Sequence, residues 1–354
     1  MSPPRLDQPF VVGSAETKAG AVPQISSALV WADHWGTFKA RWGIGRMNYK
    51  VDPGLYALGK PDDQSPVLVT ANYKMSFDKL REALPGRDAW ILVLDTRGIN
   101  VWCAAGKGTF GTKELVARLE SSSLTHIVLH RELILPQLAG PGVSAHQVKK
   151  MCGFRVIYGP IRAGDLPAFV DGGLEATPGM RFKTFTTWER VVLIPVELIG
   201  AFKTALIILP FFFLVDCLWR AGGFWTNTLS YGLYSVLGIL TAILAGAVLT
   251  PLLLPWLPGR AFSFKGLTPG VVMALVFVAF CPSGWDAGSW GRIGIFAWLL
   301  LIPAMSAYLA MNFTGSSTYT SLSGVKKEMR RAVPLQIGAG VLGVGLWLGS
   351  HMFS

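Results

Sequence analysis

The stretch "AWILVLDTRGINVWCAAGKGTFGT", residues 89–112, decides the fold and raises the functional question. It opens with an apolar run that predicts a buried β-strand, and it continues into a turn, a segment that carries Cys103, and a glycine-rich run. Other apolar runs, alternating with helical patterns, flank it on both sides. Strands that lack polar alternation and are separated by helices predict a parallel sheet with helices on both faces. Such sheets bind ligands beyond the carboxyl ends of their strands, so residues 98–111 would lie at a ligand-binding edge.

The hydrophobic pattern predicts a Rossmann-like α/β domain over residues 48–175 and a linker at 176–190. The predicted strands are 66–70, 89–95, 126–130 and 154–159, and the predicted helices are 76–84, 112–122, 144–152 and a short one within 163–173. Ser76 is the expected N-cap of the first helix. Residues 1–47 are rich in Pro and Gly and lack periodicity, so we expect an irregular entry segment there.

The composition changes near residue 191. Residues 1–189 hold 22 of the 32 Lys and Arg and 17 of the 21 Asp and Glu, whereas nearly all long apolar runs come later. A membrane-spanning helix needs about 20 mostly apolar residues. On that length the sequence predicts five spans, at about 191–218, 228–254, 267–283, 292–311 and 334–353. We therefore expect an all-α membrane domain of about five transmembrane helices after the α/β domain.

Charged loops predict the orientation of these spans. The basic residues of the second half concentrate in two loops, 255–266 and 312–333, and include Arg260, Lys265, Lys326, Lys327, Arg330 and Arg331. The positive-inside rule places both loops in the cytoplasm, which agrees with five spans that follow a cytoplasmic N-terminal domain. The expected localisation is therefore the inner (cytoplasmic) membrane, multi-pass. Gly345 and Gly349 have the G-x-x-x-G spacing that predicts helix packing.

Composition also narrows the function classes. The formal net charge of +11 is accounted for partly by residues that flank membrane helices, so no nucleic-acid partner is expected. The four cysteines, at positions 103, 152, 217 and 281, have neither the spacing of a disulfide framework nor that of a zinc site. The N-terminus lacks the apolar core of a signal peptide. We therefore expect Cys103 to remain a reduced thiol in the cytosol.

One interpretation of residues 98–112 is a dinucleotide-binding loop. Gly106, Gly108 and Gly111 match G-x-G-x-x-G, and a helical pattern follows them. The fingerprint, however, needs its first Gly in the tight turn directly after the strand. Here ten residues separate Asp95 from the first Gly of the match, which disfavours this interpretation.

Two other interpretations use Cys103 directly. A catalytic thiol would need a base, for which His126 and His130 are candidates that no motif fixes in place. A metal ligand beneath a flat cofactor is the other interpretation. If residues 100–106 form a short helix, Cys103 lies near its first turn, where backbone N–H groups and the helix dipole favour a thiolate. The small residues Ala104, Ala105 and Gly106 would let a flat macrocycle approach the helix. The indole of Trp102 would shield one side of the macrocycle from water.

The octapeptide "NVWCAAGK", residues 100–107, resembles the signature of the corrinoid proteins of bacterial mercury-methylating pairs, the HgcA family. The segments "VLVTANYKMSFDKLR" (67–81) and "DAWILVLDTRGI" (88–99) resemble the corrinoid-binding domain of the corrinoid iron–sulfur protein large subunit. The similarity covers roughly residues 48–172. A further segment, "MNFTGSSTYTSLSGVKKEM" (311–329), resembles the membrane domain of the HgcA family.

The resemblance implies that Cys103 is the lower axial ligand to the cobalt of a cobalamin and the residue central to catalysis. The cap helix beneath the corrin would then comprise Asn100, Val101, Trp102, Ala104, Ala105, Gly106 and Lys107. Residues at the ends of the predicted strands are expected to hold the edge of the corrin: Thr70, Asn72, Gly159, Pro160 and Arg162.

The resemblance also implies the reaction, a cobalamin-dependent transfer of a methyl group to Hg(II) that forms methylmercury. A thiolate ligand donates strongly to cobalt and stabilises Co(III), which favours transfer of the methyl group as a carbanion to a soft electrophile. The chain has no cysteine cluster for an iron–sulfur centre, so a ferredoxin-like partner of the HgcB type would supply electrons, and a methyl-folate-dependent system would supply the methyl group. The alternative is a corrinoid methyl carrier of one-carbon metabolism with a different native acceptor, and the sequence does not separate the two.

Overall fold

The computed structural model describes residues 3–219, 224–280, 289–316 and 322–352. The chain divides into two compact units. The first, here the α/β unit, contains the residues up to 40 together with 44–184, and the second, here the membrane unit, contains 41–43 together with the residues from 185 onward. Each unit has hydrophobic clusters of its own.

The α/β unit is built on one seven-stranded sheet. Its elements are β1 (Val11–Thr17), β2 (Gly20–Ile25), α1 (Trp31–Arg41), β3 (Gly54–Leu58), β4 (Val67–Ala71), α2 (Lys74–Glu82), β5 (Ala89–Leu94), α3 (Val101–Lys107), α4 (Thr112–Ser121), β6 (Glu132–Leu135), α5 (Ala145–Cys152), β7 (Arg155–Tyr158) and α6 (Leu166–Asp171). The strand order is β1-β2-β3-β5-β4-β6-β7. Neighbours among β5, β4, β6 and β7 are parallel, which confirms the predicted sheet, and β3 extends it by running antiparallel to β5.

The central strands bury side chains on both faces, which explains why their sequences lack polar alternation. Along β4, Val69 packs into the core on one face, whereas Leu68 packs into the core on the other. Leu92 and Ile91 of β5 divide in the same way. Successive side chains of a strand point to opposite faces, so a strand covered on both sides must be apolar at every position.

The expectation of an irregular segment over residues 1–47 is wrong for much of that range, where the chain forms β1, β2 and α1. The pattern was missed because these elements bury little. Strand β1 lies at the edge of the sheet, where its residues are exposed or half-buried, and it pairs only with β2. Helix α1 buries only Asp33 and Ala40 and directs several aromatic residues outward, so its hydrophobic pattern does not indicate a core-facing helix.

Two local predictions also need correction. The predicted strand 126–130 is absent, because Leu124–His126 is a 3-10 turn and the strand is β6 further along. Ile127 and Val128 are nevertheless buried, which is the reason that their sequence resembles a strand. Helix α2 begins at Lys74 rather than after Ser76, so Ser76 is not its N-cap.

The membrane unit is helical. Its elements are α7 (Thr187–Val191), α8 (Ile194–Trp219), α9 (Phe224–Asn227), α10 (Leu233–Ile243), α11 (Thr250–Leu253), α12 (Phe262–Ala279), α13 (Ser289–Met311) and α14 (Leu322–Met352), with π-helical turns at Thr228–Gly232 and Leu244–Leu249. Among the described residues, five helical segments are long and apolar enough to cross a membrane, which confirms the predicted number. They are Thr187–Leu218, Leu233–Leu253, Phe262–Ala279, Arg292–Thr314 and Gly324–His351.

Small residues allow the candidate spans to pack closely. A Cβ atom at Gly238 would lie 2.5 Å from the Trp298 ring, and one at Gly270 would lie 2.8 Å from the Cα atom of Pro303. The predicted packing role of Gly345 and Gly349 is not seen in the described part of the chain, because nothing lies within 4 Å of a Cβ atom built at either position. Close contact between α14 and α13 occurs instead at Gly343, where a Cβ atom would lie 2.7 Å from the Leu301 side chain.

Part of the predicted cytoplasmic loop 312–333 is helical. A 3-10 turn covers Asn312–Ser316, and α14 already begins at Leu322, so the basic residues Lys326, Lys327, Arg330 and Arg331 lie on a helix and are exposed. The end of the predicted third span, with Cys281, lies outside the described residues.

Candidate functional site

A cavity of about 310 Å³ lies at the carboxyl ends of β4, β6 and β7. The chain crosses from β5 over to β6 on the other side of β4, so this edge is a topological switch point, where open α/β sheets bind ligands. Most of the lining is apolar, with a few polar side chains: Leu68, Val69, Thr70, Ser76, Lys79, Leu80, Asn100, Val101, Trp102, Ile134, Leu135, Pro136, Leu138, Pro160, Ile161, Ala163 and Leu166.

Asn72 holds the loop that connects β5 to α3. Its buried Oδ1 atom accepts hydrogen bonds from the Thr96 N–H (3.1 Å), the Thr96 hydroxyl (2.9 Å) and the Gly98 N–H (2.9 Å). Its Nδ2 atom donates to Asp95 (3.0 Å). Gly98 has φ 72°, a left-handed conformation that favours glycine, and so completes the tight turn. The amide of Asn72 therefore fixes where α3 begins.

Helix α3 has a defined start and end. At the N-terminus, the Asn100 side chain accepts a hydrogen bond of 2.9 Å from the Cys103 N–H, which is an N-cap. At the C-terminus, Gly108 adopts φ 79°, and its N–H bonds back to the last turn. The prediction of a short helix that carries Cys103 in its first turn is confirmed, with bounds Val101–Lys107.

The two faces of α3 differ. Val101, Ala104 and Ala105 are buried in the core of the α/β unit. The other face is directed outward, with Trp102 and Cys103 half-buried and Gly106 and Lys107 exposed. Cys103 is therefore half-buried on the face that it shares with Trp102 and Gly106. Asn100, Val101 and Trp102 are among the residues that line the cavity, and Cys103 is not.

Helix α3 lies close to the loop that precedes α5. A Cβ atom at Gly142, in the loop before α5, would lie 2.9 Å from the Cα atom of Ala105 and 3.1 Å from its carbonyl oxygen. The backbone of α3 thus lies directly against this loop, which leaves no room for a side chain at Gly142. On the face that carries Cys103, Gly106 has no side chain and is exposed.

The residues predicted to hold a corrin edge occupy different positions. Thr70 and Pro160 line the cavity, whereas Gly159 is not among the lining residues, and a Cβ atom built there would lie 3.2 Å from the Ile134 side chain. Asn72 is buried and is bonded to the loop as described above. Arg162 is exposed, and its guanidinium donates to the Thr184 hydroxyl.

Sequence reasoning missed several lining residues, notably Ser76 and Lys79 on α2 and Pro136 after β6. The misplaced strand at 126–130 hid the end of β6, which is the position where Pro136 would have been recognised. The spacing of Ser76 and Lys79 places them on one face of a helix directly after β4, a signal that assigning Ser76 as an N-cap obscured.

Of the two candidate bases for a thiol enzyme, His130 has a structural role. The His130 ring contacts the Ser65 carbonyl oxygen at 2.9 Å and the Glu132 N–H at 3.2 Å, which fixes the chain as it enters β6. His126 is an exposed residue of the preceding 3-10 turn. Neither histidine is among the residues that line the cavity beside α3.

The other cysteine of the α/β unit, Cys152, ends helix α5. Its thiol donates to the Val148 carbonyl oxygen at 3.2 Å and packs against the core. Burial, and to a smaller extent the negative charge of Glu120, raises the pKa of this thiol. Cys103, Cys152 and Cys217 form no disulfide.

The segment that carries this site is similar to a known protein family. Residues 44–170 match the family model described as CO dehydrogenase/acetyl-CoA synthase delta subunit. That match contains the cavity, helix α3 and Cys103, and it ends before the first candidate span at Thr187.

Curated proteins give a consistent result. The acetyl-CoA decarbonylase/synthase complex subunit gamma of Methanopyrus kandleri is 32% identical over 124 residues, which are 34% of this chain and 26% of that protein. Subunit gamma 2 of Methanosarcina thermophila is 33% identical over 125 residues, with shares of 34% and 26%. Subunit gamma of Archaeoglobus fulgidus is 28% identical over 128 residues, with shares of 36% and 27%. The chain thus spans about a quarter of the length of these relatives.

Proposed function

We propose that the α/β unit binds a corrinoid with Cys103 as the lower ligand to cobalt, and that the protein is a membrane-anchored methyl carrier of one-carbon metabolism. The observation that carries the proposal is the position of Cys103. It lies on the outward face of a capped helix at the switch-point edge of the sheet, within the segment that matches the CO dehydrogenase/acetyl-CoA synthase family model.

The residues around Cys103 fit a flat metal macrocycle. Gly106, one turn after Cys103, is exposed and has no side chain, and Trp102 lines the apolar cavity. Within the described residues, no three His, Cys, Asp and Glu side chains gather closely enough to hold a metal ion by themselves. A metal at Cys103 would therefore bring most of its ligands with it, as cobalt does in a corrin.

When bound, the corrinoid supplies a cobalt atom that carries the methyl group between donor and acceptor. The contribution of this chain is to hold a sulfur donor in one position. Asn100 fixes the first turn of α3 by its bond to the Cys103 N–H, and Asn72 fixes the loop before it. Both interactions orient the helix before any ligand arrives, which reduces the ordering cost of binding.

The remaining predicted contacts belong to the same proposal. Val101, Ala104 and Ala105 support the cap helix from the core, and Lys107 lies at its exposed end. Thr70, Pro160 and Gly159 are proposed to contact the edge of the corrin or to shape the surface beneath it. Asn72 is proposed to act indirectly, because its amide bonds to the loop. Arg162 would approach the ligand only after leaving Thr184.

Electrons and methyl groups would come from other proteins. The four cysteines of the sequence are far apart along the chain, so an iron–sulfur partner of the ferredoxin kind is proposed to reduce the cobalt. A methyl-folate-dependent system is the proposed donor. We further propose that the α/β unit lies in the cytoplasm and that the spans lie in the inner membrane, from the basic residues Lys326, Lys327, Arg330 and Arg331 at the start of the last span.

A second candidate function is methylation of mercury, with Hg(II) as the acceptor. The specific observation in its favour is the chemical nature of the ligand. A thiolate donor favours loss of the methyl group as a carbanion, which a soft metal ion accepts readily. The octapeptide 100–107, through its resemblance to the HgcA family, supports the same acceptor.

The experiment that tests both candidates uses the full chain, purified anaerobically in detergent and loaded with methylcobalamin. Methyl transfer is measured to Hg(II), as methylmercury, and to tetrahydrofolate in the presence of a folate-dependent methyltransferase. Transfer to Hg(II) alone supports the mercury candidate, and exchange with folate without methylmercury supports the carrier. A protein that binds no corrinoid, or that transfers equally well with Cys103→Ala, would contradict the proposal.

A further inference from the structure

Helix α1 presents an outward stripe of aromatic side chains. Trp31, Trp35, Phe38 and the following Trp42 are 78%, 48%, 46% and 38% exposed. Their spacing of four, three and four residues places them on one narrow line along a helix. Trp35 and Phe38 stack with ring centroids 5.1 Å apart. This set of four residues is here called the aromatic stripe.

The opposite side of α1 is fixed to the α/β unit. The Asp33 carboxylate accepts a hydrogen bond of 2.6 Å from Lys74 and another of 2.6 Å from Arg81, and all three side chains are largely buried. Arg81 also donates to the Ser26 and Ala28 carbonyl oxygens just before the helix. The helix therefore cannot rotate to bury its aromatic residues without breaking buried ion pairs, which is costly.

The charge around the stripe is positive. Lys39 and Arg41 lie on opposite sides of it on the helical wheel, and Arg46 follows shortly after. Asp33 is the one acidic residue between Trp31 and Arg41, and it is buried. A helix that exposes aromatic residues between basic ones has the pattern of a helix that lies in a membrane interface.

We infer that the aromatic stripe lies in the lipid headgroup region of the bilayer that the five spans of the same chain enter. Tryptophan is favoured at this depth because its ring is apolar and its N–H is polar, and basic side chains are attracted to anionic headgroups. The segment before the first candidate span keeps the α/β unit within reach of the bilayer. Residues 172–186, between α6 and the first candidate span, extend to at most about 50 Å. The inference needs only the membrane unit and does not depend on a corrinoid.

Contact with the interface would give α1 a function. Attachment at the aromatic stripe would restrict the orientations that the α/β unit can adopt at the bilayer surface. The exposed Ile44 and Met47, which follow the helix, extend the apolar surface in the same region of the sequence.

The test is photo-crosslinking of the full chain in nanodiscs that contain phosphatidylcholine, a minority of phosphatidylglycerol and a phospholipid with a diazirine near its headgroup. Lipid adducts are mapped by mass spectrometry. We expect adducts on residues 31–42 in addition to the spans. We expect none on the peptide that contains Met151, an apolar side chain of the α/β unit that is 56% exposed.

Two triple variants make the test specific. Trp31→Ser/Trp35→Ser/Phe38→Ser removes most of the stripe, and Val12→Ser/Leu129→Ser/Met151→Ser removes three other exposed apolar side chains of the α/β unit. The first should reduce adducts in the segment 39–47 by about tenfold, because each aromatic ring lost removes a large apolar area from the interface. The second should leave those adducts unchanged.

The outcome with the unaltered protein is decisive even if a variant folds poorly. Spans that carry adducts beside an unlabelled 31–42 segment would overturn the inference. Radical footprinting with and without a ferredoxin partner distinguishes the other occupant. Protection of the stripe by the partner but not by the bilayer would assign this surface to a protein and would also overturn the inference.

Discussion

Cys103 and Cys152 are the same residue type in the same unit, yet they occupy opposite ends of their helices. Cys103 is in the first turn of α3, on an outward face beside Gly106, and its N–H is bonded to the capping Asn100. Cys152 is the last residue of α5, and its thiol bonds to the Val148 carbonyl oxygen of its own helix. One thiol is half-buried on an outward helix face next to the cavity-lining Trp102, whereas the other completes the packing of a helix against the sheet.

The comparison teaches that the neighbours of a cysteine determine its use. Cys103 is held in position by a capped helix and by a loop that the buried amide of Asn72 fixes. Cys152 is partly buried, and this burial raises the pKa of its thiol. If the proposed function is correct, changes near Cys103 alter the cofactor, and equivalent changes near Cys152 alter only stability.

The largest effect is expected from Cys103→Ala. The variant should lose the absorption signature of cobalt–sulfur ligation and all methyl transfer, because alanine offers no donor atom. Circular dichroism and the thermal midpoint should stay close to those of the unaltered protein, since the side chain faces outward. Absorption spectra of the anaerobically loaded protein provide the measurement.

Cys152→Ala is the matched control for that variant. It should keep full corrinoid content and transfer activity and should lose about 1 kcal/mol of stability from the small cavity it leaves. Loss of cobalt–sulfur absorption in Cys152→Ala, or its persistence in Cys103→Ala, would reverse the assignment of the two thiols.

The second prediction uses the glycines near the two cysteines. Gly106→Leu should reduce corrinoid affinity by at least about tenfold, because a bulky side chain one turn after Cys103 would lie where the proposed macrocycle approaches the helix, while the helix itself tolerates Leu better than Gly. Gly153→Ala, directly after Cys152, should lower stability and leave corrinoid affinity unchanged. Gly153 adopts φ 77°, so alanine there should reduce the free energy of unfolding by about 1 kcal/mol. Corrinoid titration and chemical denaturation measure the two effects separately.

Much of this contrast could be predicted from the sequence. The apolar runs predict the central strands, and "NVWCAAGK" predicts a short helix with its cysteine in the first turn. The edge elements were less predictable. Strand β1 buries little, and the aromatic residues that recur along α1 face outward, so neither element has the pattern of one that packs against a core.

Other features depend on contacts between distant residues. That Asn72 bonds to Thr96 and Gly98 depends on the pairing of β4 with β5, which local pattern does not determine. The cavity residue Ser76 was missed for a related reason, because its side chain can be assigned only when the neighbours of β4 are known. Gly142 can carry no side chain because the backbone of Ala105, far from it along the chain, lies against it.

The third prediction concerns the two asparagines that position α3. Asn72→Ala leaves the buried N–H groups of Thr96 and Gly98 without their acceptor and should cost about 2–4 kcal/mol, with a parallel loss of corrinoid affinity. Asn100→Ala removes a single capping bond and should cost about 1 kcal/mol. Denaturant unfolding of both variants gives the measurement. Equal costs would mean that Asn72 contributes no more than an ordinary cap.

The smallest expected effect concerns the pKa of Cys152. Its measurement tests the comparison between Cys103 and Cys152 without any cofactor. Burial raises this pKa, so the folded protein should form the Cys152 thiolate only at higher pH than the unfolded chain does. Alkylation of Cys152 by iodoacetamide at pH 8 should therefore be slower in the folded protein than in urea, as measured by mass spectrometry of the peptide that contains it.

The same shift predicts the direction of a stability change. A group whose pKa is raised by folding stabilises the folded state fully below its unfolded pKa, about 8.5 for cysteine, and loses that contribution as the pH rises through the folded pKa. The unfolding free energy of the unaltered protein should thus fall more steeply above pH 8.5 than that of Cys152→Ala. Identical pH profiles for the two proteins, together with alkylation as fast in the folded state as in urea, would show that Cys152 is not the buried packing residue of this comparison.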